Sequence, residues 1–244
     1  ESGDVSTYTF AGWVGAIHRA TMINLTPATT YYYRVGNGED RWSEVFSFTT
    51  YDPSRDTVSF AIIADMAYDT TSDNTVMRIQ ELVDAGSIDG VIHSGDISYA
   101  DGYEPHWDDF FNKVQGIAAK VPYMASPGNH EFWANFTSYK HRFFLPGVVD
   151  LGASGDNMYY SWEFGPAHFD SLNSETALDT GAFHEDMVAW MDEDMSAIDR
   201  TATPWLITHF HRPMYCSNDK DCDMTFAGLL RKQGEQMFHK HKVD

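Results

Sequence analysis

The stretch Val91-Ile-His-Ser-Gly-Asp-Ile-Ser-Tyr99 delivers a short apolar run into Gly95-Asp96, with a tyrosine three residues after the aspartate. A buried strand that ends in Gly-Asp sets a carboxylate at the carboxyl edge of a sheet, where open α/β folds place their ligands. A single such pair is most often a turn. Here three more apolar runs end in the same way. Ser59-Phe-Ala-Ile-Ile-Ala64 leads into Asp65, Tyr123-Met-Ala-Ser-Pro into Gly128-Asn129-His130-Glu131, and Trp205-Leu-Ile-Thr-His-Phe into His211. Strand ends carrying Asp, Asp, Asn-His and His are expected to converge on one rim. Those residue types suit a site for two metal ions.

Composition sets the outer limits. The chain has 244 residues, 43% hydrophobic and 15% aromatic, enough for one large domain or a domain with a small partner. Its longest apolar runs are about five residues, against roughly 20 for a membrane span. It opens without a start methionine or leader peptide and reads as a mature chain or one cut from something longer. The formal charge is −20, from 36 acidic and 16 basic residues. Such a surface repels nucleic acid and anionic membranes, and admits a phosphate only where bound cations reverse the local field. Cys216 and Cys222 bracket a polar loop that a disulfide would close, and Asn24-Leu-Thr26 and Asn135-Phe-Thr137 are N-glycosylation acceptors. Together they point to a secreted or lysosomal (vacuolar) protein.

Residues 1–50 have strand periodicity only: Ser6–Gly12, His18–Leu25, Thr29–Val35 and Val45–Thr50 are aromatic or β-branched runs between turn residues. Leu25-Thr-Pro-Ala-Thr29-Thr-Tyr31-Tyr-Tyr33-Arg-Val35 resembles the fibronectin type III pattern, with Tyr31 in the place of its tyrosine corner. About half of such a sandwich is present, so the chain is expected to begin inside that domain. Residues 51–56, Tyr51-Asp-Pro53-Ser-Arg-Asp56, read as a linker. Residues 57–244 alternate strands with helical stretches, which predicts βαβ units. Ser72–Val83, Trp107–Val114, Phe136–Leu145 (closed by Pro146-Gly147), Phe183–Met195 and Leu229–Lys242 are the expected helices. Residues Tyr159–Phe164 and Ala167–Leu172 form the expected hairpin across Gly165-Pro166.

The ordered set Asp65, Gly95-Asp96-x-x-Tyr99, Gly128-Asn129-His130-Glu131 and Thr208-x-x-His211 resembles the purple acid phosphatases of the metallophosphoesterase superfamily. The resemblance extends to Tyr99-Ala-Asp-Gly-Tyr103 with Trp107-Asp108, to Ser161-Trp162 and Gly165-Pro-Ala-His168, and to His211-Arg-Pro-Met-Tyr215. It implies an α/β fold in four layers (α/β/β/α), a β-sandwich flanked by helices and preceded by the partial fibronectin-like domain. It also implies an acid phosphatase that hydrolyses phosphate monoesters at a dinuclear centre of Fe(III) and a second divalent metal, iron, zinc or manganese, with metal-bound hydroxide as nucleophile. Carried over by motif, Asp65 and Tyr99 hold iron, Asp96 bridges, Asn129 and His211 hold the divalent ion, and His130 protonates the leaving alcohol. Small phosphorylated molecules are the expected substrates, glycans are expected at Asn24 and Asn135, and a homodimer is left open.

Two departures support rival readings. The family's Gly-Asp-x-Gly is here Ala64-Asp65-Met-Ala67, where alanine strains the loop if a positive φ is needed. The family's Gly-His-x-His, one ligand for each metal, is expected beyond Asp244. His239-x-His241 precedes that point on a polar helix end, so this stretch alone is expected to bind metals poorly. The alternatives are a phosphodiesterase or nucleotide pyrophosphatase of the same superfamily, and a secreted non-catalytic binding protein. His93, His209, His168 and His184 are expected to be structural, and Glu131 to orient the site through hydrogen bonds or to pack.

Overall fold

A computed structural model describes residues 3–38, 41–146, 153–176, 183–215 and 225–244. Cys216, Cys222 and Gly147 lie outside the described residues.

The N-terminal segment is all β. Strands β1 (Asp4–Ser6) and β2 (Ile17–Arg19) pair antiparallel, as do β3 (Thr30–Tyr33) with β6 (Phe46–Thr49) and β4 (Gly36–Asn37) with β5 (Arg41–Trp42). The Tyr31 hydroxyl accepts from the Thr26 backbone N–H at 2.7 Å, the back-bond expected of a tyrosine corner. The expected strands Ser6–Gly12 and His18–Leu25 are not found as such: β1 shares with them only Ser6 and β2 only His18 and Arg19, and the chain turns at Ala11-Gly12, both at positive φ. This segment docks through tyrosines. Tyr8 bonds the buried Glu104 and receives Arg142 Nε, and Tyr33 donates to the Ala119 carbonyl at 2.8 Å.

The larger unit is two three-stranded sheets face to face. The first is parallel: β7 (Phe60–Ile63), β8 (Gly90–Ser94) and β9 (Tyr123–Ser126), with Ile63 opposite His93 and Ser94 opposite Ser126. Its crossovers are α1 (Asp73–Asp84) and α2 (Pro105–Ala118). In α1, Val76, Ile79 and Val83 make one stripe that packs with Ile117 of α2 on Val91. After β9 comes α3 (Trp133–Arg142), whose residues Ala134 to Phe136 stand at left-handed φ. Its regular right-handed part therefore starts just after Phe136, near the expected start, and it releases the chain at Phe143, so residues 143–145 are not helical.

The second sheet is β10 (Tyr160–Phe164), β11 (Ala167–Ser171) and β12 (Trp205–His209), antiparallel then parallel. Helix α4 (Glu185–Ala197) covers its outer face with α5 (Thr225–Leu230) and α6 (Gln236–His241), which a π-helical turn over Arg231–Glu235 separates. The helix expected over Leu229–Lys242 is present, with a π-helical turn inside it. Between the sheets, Trp162 stacks on Phe169 at 4.2 Å between centroids, and Phe60 meets Phe169 edge-on at 5.2 Å. Each fully buried chain of this size contributes about 1.5–3 kcal/mol, which ties the two sheets into one core. The order of layers is helices, sheet, sheet, helices. Among the described residues no helix is long and apolar enough to cross a membrane.

Candidate metal centre

The parallel ladder of the first sheet continues past its strand ends. Asp65, Met66 and Ala67 donate their N–H groups to the carbonyls of Gly95, Asp96 and Ile97 at 3.1–3.2 Å. This brings Asp65 alongside Asp96. The loops can run so closely only with unusual backbone: Asp65 (φ 56), Ala67 (61), Asp96 (50), Tyr99 (52) and Asp101 (49) are all left-handed. Such conformations cost roughly 1–2 kcal/mol for a residue with a Cβ and cluster at functional sites. Ala67 therefore occupies a position where the glycine of the related motif would be unstrained.

Two glycines permit the remaining contacts. A Cβ on Gly128 would lie 2.2 Å from the Asp96 nitrogen, and one on Gly95 (φ 79) would lie 2.5 Å from the Cβ of His211. The turn Asn129–Glu131 is thereby pressed onto Asp96, and the loop after β12 reaches across from the second sheet. Arg212 anchors that loop, donating from Nη2 to Glu175 at 2.9 Å and from its backbone N–H to Ser174 Oγ at 3.0 Å.

Ligand atoms of Asp65, Asp96 and His211 all lie within 4.8 Å of one another. Tyr99 donates its hydroxyl to Asp65 Oδ1 at 2.8 Å, and its ring lies 4.1 Å from that of His130. His211 donates Nδ1–H to the Ser94 carbonyl at 3.0 Å, so Nε2 faces Asp96 Oδ2 at 3.3 Å. The structure thus gathers Asp65, Asp96, Tyr99, His130 and His211. Asn129 opens the turn beside Asp96 and is half-buried.

Electrostatics matches a site awaiting positive charge. Burial pushes the Asp96 carboxyl up, but the hydrogen bonds and charges of His211 and His130 leave it below the usual range. Burial opposes a charged His211, yet Asp96 pulls its pKa up to about 9. The Tyr99 phenol is pushed up by burial, then by Asp65 and Asp96. Two carboxylates, a phenol and imidazoles are oxygen-rich donors of the kind hard cations take, with nitrogen for a softer one. The residues present fit a metal pair.

Glu131 is the support beneath the site. It is 3% exposed, and its oxygens accept the N–H groups of Asp96, Ile97 and Gly128 at 2.8–2.9 Å. Burial pushes its pKa up to about 7, against the pull of those three backbone donors, which favour the ionised form. It is a positioning residue. Asp101 escaped the sequence reading: its Oδ1 lies 2.7 Å from His130 Nδ1 and also accepts from Trp133 Nε1. Its only signal was its place between Tyr99 and Tyr103. His93 and His209 are buried behind the rim, His93 bonded to Tyr123, and burial lowers each to about 3. They are neutral core residues, as expected. His241 pairs with Asp192 on α4 at 2.6 Å, well apart from the rim cluster in its contacts.

Two facing sheets thus bring acidic and histidine side chains on strand-end turns to one rim. Residues 58–241 match the family model for calcineurin-like phosphoesterases, and residues 1–50 match that for the purple acid phosphatase N-terminal domain. The chain belongs to the calcineurin-like phosphoesterase family, among its purple acid phosphatases. It is 35% identical to acid phosphatase type 7 of Danio rerio over 93% of this chain and 54% of the relative. It is 32% identical to purple acid phosphatase 21 of Arabidopsis thaliana over 100% of this chain and 54% of that one. The purple acid phosphatase isolated from yellow lupin seeds superposes with a TM-score of 0.82 at 26% identity, covering 99% of this chain and 49% of the other. The chain spans about half the length of the curated relatives it matches.

Proposed function

We propose that the protein hydrolyses phosphate monoesters under acid conditions at a dinuclear metal centre. The observation that carries this reading is the convergence of Asp65, Asp96 and His211 ligand atoms within 4.8 Å, on the rim that also holds Tyr99 and His130. Asp65 and Tyr99 would hold Fe(III), Asp96 would bridge, and Asn129 and His211 would hold the second metal, iron, zinc or manganese. A bound metal pair supplies Lewis-acid activation of water and neutralises charge building on the phosphoryl group.

The chain's own groups do the rest. Glu131 holds the backbone of Asp96 and Ile97 in place, and the Ser94 carbonyl fixes His211 with Nε2 outward. Asp101 binds His130 at Nδ1, so Nε2 is the atom left to carry a proton to the leaving alcohol. Nε2 lies 3.8 Å from Asp96 Oδ2, inside the same cluster. The division into residues 1–50, a linker at 51–56 and a catalytic unit at 57–244 fits the two matched segments. Asn24 and Asn135 are exposed, as glycan acceptors in a secreted or vacuolar protein need to be.

The test is Asp96→Ala in the full-length protein, with p-nitrophenyl phosphate as substrate. Metal content and turnover are both expected to collapse, turnover by more than about 10⁴-fold, beyond the roughly 10²–10⁴ that one general acid supplies. Unchanged hydrolysis would sink the assignment. A faster rate on bis(p-nitrophenyl) phosphate than on the monoester would favour a diesterase instead.

A further inference from the structure

The outer face of the second sheet carries another convergence of ligand-type side chains. His168 and Asp170 alternate along β11 and share the face toward α4, while Phe169 between them enters the inter-sheet core. Asp194, in the last turn of α4, meets them. Its Oδ2 lies 2.9 Å from His168 Nε2, and Asp170 Oδ1 lies 3.4 Å from the same nitrogen. Ligand atoms of all three fall within 4.8 Å of one another. His168 is in register with Leu206, five residues before His211. That is roughly 16 Å along a strand, so this cluster is separate from the rim.

Asp194 has the support of a metal ligand: Ser161 Oγ donates to its Oδ1 at 2.8 Å, an outer contact of the kind that fixes a carboxylate's orientation. Asp170 supplies the decisive observation. It is 0% exposed, neither of its oxygens makes a hydrogen bond of good geometry, and its positive neighbour, His168 Nε2 at 3.4 Å, is shared with Asp194 at 2.9 Å. One imidazole between two carboxylates leaves the cluster net negative, and burial makes that costly unless a further cation faces it. With metal–ligand bonds of about 2.1 Å, the edges of four- and six-coordinate sites measure about 3.0–3.4 Å, close to the separations at His168 Nε2. The Asp194 side chain, 20% exposed, leaves a way in for the ion and for a completing water.

We propose that His168 Nε2, Asp170 and Asp194 bind a divalent cation of the zinc class that pins α4 to the second sheet. Imidazole with two carboxylates is a donor set that zinc takes readily. The site is a brace: it joins a strand to a helix that packs Met187, Trp190, Met191 and Met195 into the apolar cluster with Leu172 and Leu206.

The test is zinc titration of the full-length protein carrying Asp65→Asn and Asp96→Asn, with bound metal counted per chain. It is run in enough salt to keep ions off the acidic surface. One zinc per chain is expected to remain, with affinity falling at least tenfold on adding either Asp170→Asn or His168→Gln, as for loss of a metal ligand. Asparagine keeps the size of Asp170 while removing its charge, and circular dichroism checks the fold. In the otherwise unaltered protein, Asp170→Asn is expected to lower metal content by one per chain. No zinc in the first background, or uptake indifferent to both substitutions, would overturn the proposal.

Discussion

The two carboxylate–imidazole clusters of this chain sit on opposite kinds of backbone. At the rim, Asp65, Asp96 and Tyr99 stand on turns at φ between 50 and 56, and Asp96 Oδ1 accepts the His130 N–H. On the outer face, His168 and Asp170 belong to a regular strand and Asp194 to a regular helix, and Asp170 has His168 Nε2 at 3.4 Å as its ion-pair neighbour. A brace needs only side chains that already face each other. A site for substrate must aim its groups off the end of a sheet, which only turns allow, and the strain must be offset nearby. Glu131 does that, tying three backbone N–H groups into one carboxylate.

Glu131→Ala breaks the comparison most severely. It leaves three buried donors unpaired and should lower stability by about 3 kcal/mol, with metal affinity down 10–100-fold. Chemical denaturation and metal titration read the two effects. A stability change below about 0.5 kcal/mol, typical of an inert surface site, would mean that the rim holds itself.

The next effect is on pH. Burial above all, then the charge of His211, lowers His93 to about 3, below the value near 6.5 of an unfolded chain. The unfolded chain therefore binds a proton that the folded one refuses. Stability is full above pH 6.5 and declines as pH falls toward 3, by about 1.4 kcal/mol per pH unit for this group. His93→Phe should remove that slope from unfolding curves taken between pH 6.5 and 4. A slope that persists undiminished would show that His93 is not the group concerned.

Ala67→Gly is the mildest change. It relieves a left-handed alanine while freeing the unfolded chain, for a net gain of about 0.5–1 kcal/mol. A loss of stability on thermal denaturation would argue against strain at Ala67.

Much of this was legible in the sequence. Asp65, Asp96 and His211 follow apolar runs whose length marks buried strands, and the stripes Val76, Ile79, Val83 and Trp107, Phe110, Val114 specify α1 and α2. The hairpin at Gly165-Pro166 announces itself by its turn residues. Other features depend on tertiary contact. Positive φ at Asp96 and Tyr99 follows from loops laid side by side, and neither residue type signals it as glycine does. Asp170 reads as the polar member of an alternating strand until α4 covers it. The π-helical turn at Arg231–Glu235 falls in a run with continuous helical character, where packing rather than propensity decides the register.

The proposed metal pair, held by Asp65, Asp96, Tyr99, Asn129 and His211 with Tyr99 on iron, has a spectroscopic signature. In the visible spectrum of the iron-loaded full-length protein, a phenolate-to-iron charge-transfer band is expected that disappears in Tyr99→Phe while iron content stays the same. A band of equal strength in Tyr99→Phe, or none in the iron-loaded parent, would contradict it.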